Sequence, residues 1–464
     1  MKKSKKYDKL KNNNITGKGR QKMAKKTNNA NNFNFSSLSV TLVNLGCDKN
    51  RVDAEKILYK LSNMGFKIVT DIKKANLIVV NTCAFIKSAI DESEKSIEEV
   101  LANKKDKAKV IITGCYAQRF YDLAQKYPVD LVLKLDQSKT IEDYVYKMYN
   151  VQPKSMVEMV KLNRVVSTPK HYAFLKISDG CNNCCTYCTI PQIRGRYKSE
   201  PMEELIKEAT QLSEKGVKEL ILIAQDVTRY GQDLYGEPRL VDLIKGLSKI
   251  PTIECIRLHY CYPEMVTDEL IEEIVTNDKV AKYMDIPLQH ISDNILKAMH
   301  RRGSSDEIRQ LITKLKNNNI SIRSTFIVGF PQETKQDFDE LVKFLKAEKL
   351  RYVGFFAYSR EENTVAGKME GQIPEKIKIK RLNKIQKVQR AILIQNQKNQ
   401  IGKVCKAVCD SYLGDSVYSF RAMDSSPEID TYIYVSSAEP LNIGEYYTLK
   451  IVKRIDMDLQ GVIV

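Results

Sequence analysis

Three short β-branched runs near the start of this 464-residue chain each end in a cysteine. Cys47 closes Val40-Thr-Leu-Val-Asn-Leu-Gly-Cys, Cys83 closes Leu77-Ile-Val-Val-Asn-Thr-Cys, and Cys115 closes Val110-Ile-Ile-Thr-Gly-Cys. Such runs, separated by apolar residues at helical spacing (Val52 to Met64, Ile97 to Leu101), read as strands of a parallel sheet. A parallel sheet presents the carboxyl ends of its strands along one edge, and ligands bind there. Three thiols in one register therefore converge, although more than thirty residues separate each from the next. A single buried cysteine is ordinarily packing. Three placed alike point to a shared ligand.

A second trio, Cys181, Cys185 and Cys188, lies in Asp179-Gly-Cys-Asn-Asn-Cys-Cys-Thr-Tyr-Cys-Thr-Ile-Pro191. Thiolates at Cys-x₃-Cys-x₂-Cys spacing on one loop can ligate three irons of a cubane and leave the fourth without a protein ligand. An iron with an open site can bind a small molecule and pass it an electron. Zinc sites instead pair Cys-x₂₋₄-Cys with a second, distant pair, and no such pair stands nearby. Cys184 falls off the spacing. Cys255, Cys261, Cys405 and Cys409 have no motif partners and read as core or incidental thiols. Eleven cysteines, mostly in cluster spacings, suit reduced thiols and metal ligation in the cytoplasm better than disulfides. No stretch approaches the roughly 18 apolar residues of a membrane span.

The net charge of +18 is unevenly spread. Residues 1–37 carry eleven Lys and Arg against the single acid Asp8, are rich in Asn, and lack apolar periodicity. They read as a disordered tail without the apolar core of a secretory signal, offering at most a weak contact to RNA. Residues 38–150 form the first α/β domain, and 151–170 a linker. From 171 to 398 strand signals at Tyr172–Ser178, Glu219–Ala224, Glu254–Tyr260, Met284–Leu288, Ser321–Val328 and Tyr352–Tyr358 alternate with helical patterns at 201–215, 264–276, 305–317, 334–348 and 373–397. Six such repeats predict an open (β/α)₆ barrel with its chemistry at the carboxyl ends of the strands. From 399 to 464 short strands with turn signals predict a small all-β barrel or sandwich. That last module holds nine acids against six bases over 401–464, a balance that suits a basic protein partner better than RNA. Asp424, Glu428 and Asp430 are its densest acidic cluster.

The cysteine loop, with Tyr187 just before its last cysteine, resembles the signature of the radical S-adenosylmethionine (SAM) enzymes. With a cysteine-trio domain before the barrel and a small β-module after it, the chain from about Leu38 to Val464 is similar to the methylthiotransferase family of those enzymes. In that family the last module is the OB-like TRAM domain. The phrases Asn81-Thr-Cys-Ala-Phe-Ile86, Leu258-His-Tyr-Cys-Tyr-Pro263 and Asp285-Ile-Pro-Leu-Gln-His290 look like the branch that modifies an aspartate of the small-subunit ribosomal protein S-twelve. The other branch acts on an N6-modified adenosine of transfer RNA. A non-catalytic iron–sulfur carrier or RNA-binding protein is the distant alternative.

The resemblance implies two 4Fe-4S clusters, one on each cysteine trio, and two SAM molecules. One SAM would methylate a sulfur at the first cluster; the other, cleaved at the second, would yield the radical that takes hydrogen from the aspartate β-carbon. It further implies S-twelve binding through the TRAM domain and an electron donor such as a flavodoxin or ferredoxin. Tyr187, Gln225, Asp226 and Gln289 would line the SAM pocket, and Arg194 would balance the charge of a thiolate-bound cluster. No general acid or base is assigned. Two residues depart from the family pattern: Asp48, where the ribosomal branch commonly has proline, and Gln332 in Ile327-Val-Gly-Phe-Pro-Gln-Glu-Thr334, where glycine is usual.

Overall fold

The computed structural model describes residues 34–152 and 163–464; most of the basic tail and the middle of the linker lie outside the described residues. The N-terminal sheet comprises β1 (Ser39–Asn44), β2 (Lys67–Ile68), β3 (Leu77–Thr82), β4 (Lys109–Gly114) and β5 (Leu131–Val132), all parallel, in the order β2-β1-β3-β4-β5. The three cysteine-ending runs are thus adjacent strands. Two strands of two residues, too short to show alternation, form the edges. Leu77 to Val80 and Val110 to Ile112 are fully buried, as expected where helices Asp48–Asn63 and Lys87–Asn103 flank the sheet. Each such side chain contributes roughly 1.5–3 kcal/mol by burial. The domain begins before Leu38: the Asn34 side chain accepts from Ser36 N at 2.9 Å. Phe35 packs its ring on Phe66, Tyr146 and Tyr149 with centroids 4.9, 5.7 and 5.5 Å away.

After the linker come β6 (Tyr172–Lys176) and a hairpin of β7 (Ser178–Asp179) with β8 (Lys198–Ser199). Then follow β9 (Glu219–Ile223), β10 (Cys255–Leu258), β11 (Val280–Asp285), β12 (Ser321–Val328) and β13 (Tyr352–Ala357). The order β13-β12-β11-β10-β9-β6, parallel throughout, is the expected open barrel. The fourth strand, however, lies earlier than expected. Met284 and Asp285 end it, and the segment to Leu288 is a loop at the barrel mouth. Pro287 has no N–H for a ladder, and Gln289 turns to φ 71°. Helices Leu240–Ser248 and Asp293–Ala298 also escaped the sequence reading; both are short. The helical pattern placed at 264 starts as a 3₁₀ turn, and the helix proper, Asp268–Thr276, begins behind its N-cap Thr267.

The last module is a closed barrel, not a sandwich: β14 (Val404–Gly414), β15 (Val417–Ala422), β16 (Ile433–Ser436), β17 (Tyr446–Ile455) and β18 (Asp458–Ile463), ordered β14-β15-β16-β18-β17. Its acidic cluster pairs with the preceding domains, although Asp424 and Glu428 keep 40% and 38% of their side chains exposed. The Asp430 side chain, fully buried, pairs with Arg323 and accepts from Tyr283 Oη at 2.8 Å. Glu428 takes Arg51 at 2.7 Å and Tyr172 Oη at 2.7 Å, and Asp424 pairs with Arg351 at 2.8 Å. Beside them Glu219 lies between Arg257 (2.7 Å) and Arg421 (2.6 Å), all three buried. These acids clamp the module to the rest of the chain.

Candidate active site

The first cysteine trio stands where the sheet predicts. β1 pairs with β3 through Asn44 and Asn81, and β3 with β4 through Thr82 and Gly114, so Cys47, Cys83 and Cys115 begin the loops or helices at three neighbouring strand ends. Local detail fixes each one. Gly46 sits at φ 90° against Cys83; a Cβ there would meet the Cys83 Sγ at 2.8 Å. Gly114, at φ 93°, lets its strand press on the backbone of Thr82. Asn50 ties the loops together, donating to Leu45 O and Thr82 O at 2.9 Å each, while its carbonyl side lies 3.6 Å from the Cys115 Sγ. The Cys83 N–H is received by Ser93 Oγ at 3.0 Å, and Ser93 donates back to the Cys83 carbonyl at 2.7 Å.

The second trio follows β6, on the loop held by the β7–β8 hairpin. Gly180, at φ 77°, packs on the Arg196 carbonyl with no room for a Cβ. Two backbone N–H groups aim at sulfur: Asn183 N at Cys181 Sγ and Ile190 N at Cys188 Sγ, both 3.4 Å. Tyr262 Oη lies 3.6 Å from Cys185 Sγ. Burial pushes the Cys181 thiol up to about 11 and the Cys115 and Cys188 thiols up to about 12, so these sulfurs keep their protons until a metal displaces them. All eleven cysteines are free thiols. Among the described residues no three His, Cys, Asp or Glu converge tightly enough for a single ion. A cubane makes a different demand, each thiolate taking its own iron, and N–H groups aimed at sulfur suit thiolate ligands.

Arg194 connects the two trios. It leaves the second cysteine loop yet reaches the first trio: its guanidinium bonds Asp53 at 2.8 Å and Asp179 at 3.0 Å, meets Asn50, and lies 3.7 Å from the Cys115 Sγ. Lys176 joins the same lattice through Asp53 and, at 3.2 Å, Asp179. The two carboxylates are held below their usual range; their burial opposes this, and Lys176 and Arg194 overcome it. The cation facing the second trio is Arg301, which the sequence reading missed. It stacks 4.1 Å from the Tyr262 ring, donates to Pro287 O at 2.6 Å, and lies within electrostatic reach of Cys185.

The four residues expected around SAM divide. Tyr187 packs edge-on against Phe330 with centroids 6.4 Å apart. Gln225 donates to Asp179 at 3.1 Å and leaves its buried carbonyl oxygen without a partner. Gln289 stands at the barrel mouth, half-buried, on the bridge to Phe326. Asp226 differs: fully buried, its carboxylate receives Asn183 Nδ2 at 2.9 Å, Thr228 N at 3.1 Å and Arg229 Nε at 3.1 Å. It braces the cysteine loop through Asn183.

Residues 175–345 match the radical SAM superfamily, 39–134 the family described as Uncharacterized protein family UPF0004, and 401–464 the TRAM domain. The fold is shared with the radical SAM methyltransferase TsrM of Kitasatospora setae, at TM-score 0.54 and 13% identity over 71% of this chain and 73% of that one. Fold and domain order define a radical SAM enzyme carrying a second cysteine-trio domain. Along its length the chain is 47% identical to the ribosomal protein uS12 methylthiotransferase RimO of Clostridium botulinum, covering 92% of this chain and 99% of that one. The RimO proteins of Clostridium acetobutylicum and Clostridioides difficile are 43% and 40% identical, over 92% and 91% of this chain and 99% and 98% of theirs. The chain belongs to the RimO family of radical SAM methylthiotransferases.

Proposed function

We propose that this enzyme replaces a hydrogen on the β-carbon of an aspartate in ribosomal protein uS12 with a methylthio group. Two cysteine trios at strand ends, joined by the Arg194–Asp53–Asp179–Lys176 lattice, carry the reading, and the RimO relatives supply the substrate. When bound, two 4Fe-4S clusters and SAM supply the one-electron chemistry that turns an unactivated C–H bond into a C–SCH₃ bond.

The chain's part is to hold and shield. Cys47, Cys83 and Cys115 ligate one cluster, and Cys181, Cys185 and Cys188 the other. Arg194 and Arg301 offset the charge of the thiolates. Tyr187, Gln225 and Gln289 line the SAM pocket. The unpaired carbonyl of Gln225 suits an N–H or ammonium donor, and the Tyr187–Phe330 wall excludes water. A small flavodoxin or ferredoxin delivers the electron, and the TRAM barrel contributes to uS12 binding through surfaces other than the clamped acids. The basic tail makes a weak RNA contact. Its eleven cysteines, six of them in cluster spacings, suit a reducing cytoplasm.

The test is mass analysis of ribosomal proteins and digested transfer RNA from cells with and without the gene. Deletion lowers the mass of uS12 by about 46 Da, one hydrogen replacing one SCH₃, and leaves transfer-RNA adenosines unchanged. Loss of a methylthioadenosine with uS12 unaltered overturns the proposal.

A further inference from the structure

Lys49 is a largely buried lysine whose ammonium has no counter-ion in contact. The residue is only 7% exposed, and its ammonium lies 3.2 Å from the centroid of the Tyr260 ring. No carboxylate oxygen of the described residues lies within 4.0 Å of it, and it donates no hydrogen bond. The neighbouring buried cations Lys176 and Arg194 are, by contrast, paired with Asp53 and Asp179. The tip of the side chain keeps an accessible face, so the ammonium can take up an anionic ligand without first giving up a protein carboxylate.

Its position indicates the ligand. Lys49 is two residues beyond Cys47, in the first turn of helix Asp48–Asn63. Tyr260 belongs to the loop at the carboxyl end of β10, in the left-handed region at φ 62°. The tyrosine is pinned there because its hydroxyl donates to Asp48 at 3.2 Å and its N–H to Asp285 at 3.3 Å. Both carboxylates are thus engaged with Tyr260 rather than with the ammonium. Burial pushes both up, Asp285 to about 6, with Lys49 acting on each only at a distance. Cys47 lies within electrostatic reach of the same phenol. The free ammonium therefore stands where the first cysteine trio meets the barrel mouth.

We propose that Lys49 binds the side-chain carboxylate of the substrate aspartate and so positions its β-carbon beside the Cys47 end of the site. This rests on the reading that the substrate is a protein aspartate. It makes Lys49 the residue that selects aspartate over asparagine, whose neutral amide forms no ion pair with the ammonium.

The test uses the full, anaerobically reconstituted chain and two synthetic peptides spanning the target loop of uS12, one with the aspartate and one with asparagine. Binding is read by fluorescence anisotropy, with iron content and unfolding midpoint as controls for folding. The native chain binds the aspartate peptide about tenfold to a hundredfold more tightly, as a charge-assisted hydrogen bond provides. Lys49→Met binds the two alike, and Lys49→Arg, which keeps the charge, restores a preference. A Lys49→Met protein that still prefers aspartate, while the native chain methylthiolates uS12, overturns this inference alone. If Lys49→Met does not fold, the native chain decides: equal affinity for the two peptides overturns the inference. A native chain that binds neither peptide and modifies transfer RNA overturns the substrate reading and the inference with it.

Discussion

Gln332 occupies the left-handed region at φ 69°, a conformation that favours glycine. Its N–H bonds Gly371 O at 2.8 Å, so the turn is fixed from outside and the side chain must accept it. An L-residue there costs roughly 1–2 kcal/mol, partly offset because glycine loses more freedom on folding. Gln332→Gly should therefore stabilise the protein by about 0.5–1 kcal/mol, read as a higher denaturant midpoint at unchanged slope; a lower midpoint refutes the account of strain. Asp48 stands at the first position of its helix, where proline fits and an acid is favoured by the helix dipole. At Gly46 the constraint is stricter. Gly46→Ala drives a methyl group toward the Cys83 Sγ at a backbone angle alanine avoids. That variant should keep the second cluster and lose the first, halving the iron from about eight per chain to about four. Full iron content in it would place the first cluster elsewhere.

Among the elements, apolar strands were legible down to the four residues of β10, whereas the two-residue strands and the helices Leu240–Ser248 and Asp293–Ala298 were not. β1, β3 and β4 showed in their Val and Ile runs, and with them the convergence of Cys47, Cys83 and Cys115. The strand β2 and the β7–β8 hairpin are two-residue pairings that only tertiary context selects. The Arg194 lattice was illegible for another reason: Asp53 and Arg194 are 141 residues apart and share no motif. Between the barrel and the C-terminal module, the Arg257–Glu219–Arg421 triad makes a pH prediction. Arg421 and Arg257 hold the Glu219 carboxyl at about 2 against an ordinary 4.5, although burial alone would raise it. Its contribution is complete above pH 4.5 and disappears as the pH falls toward 2, an effect of about 3 kcal/mol. Between those limits the native protein should lose more stability than Glu219→Gln, which has no charge to titrate; parallel losses would show that the triad is not a determinant. At neutral pH the same variant leaves two buried arginines without their carboxylate and should unfold more readily by about 3–5 kcal/mol.

At the scale of the whole molecule, composition indicated the modules but not the direction in which their charges point. Asp424, Glu428 and Asp430 are close in sequence and give the C-terminal barrel its acidic cluster, yet their partners are Arg351, Arg51 and Arg323 of the preceding domains. The same acids clamp the N-terminal domain, the open barrel and the closed barrel together, while Asp424 and Glu428 stay partly exposed. The phrases at Leu258–Pro263 and at 285–290, which marked the branch, lie at or just beyond the carboxyl ends of β10 and β11, near Tyr260 and Lys49. The proposed function gives separate work to the two cysteine trios, which Arg194 links. The most direct measurement is on the Cys47→Ala, Cys83→Ala, Cys115→Ala protein, reconstituted and supplied with SAM, dithionite and uS12. It should still yield 5′-deoxyadenosine and form no methylthiolated uS12; formation of that product at the native rate would contradict the division of labour.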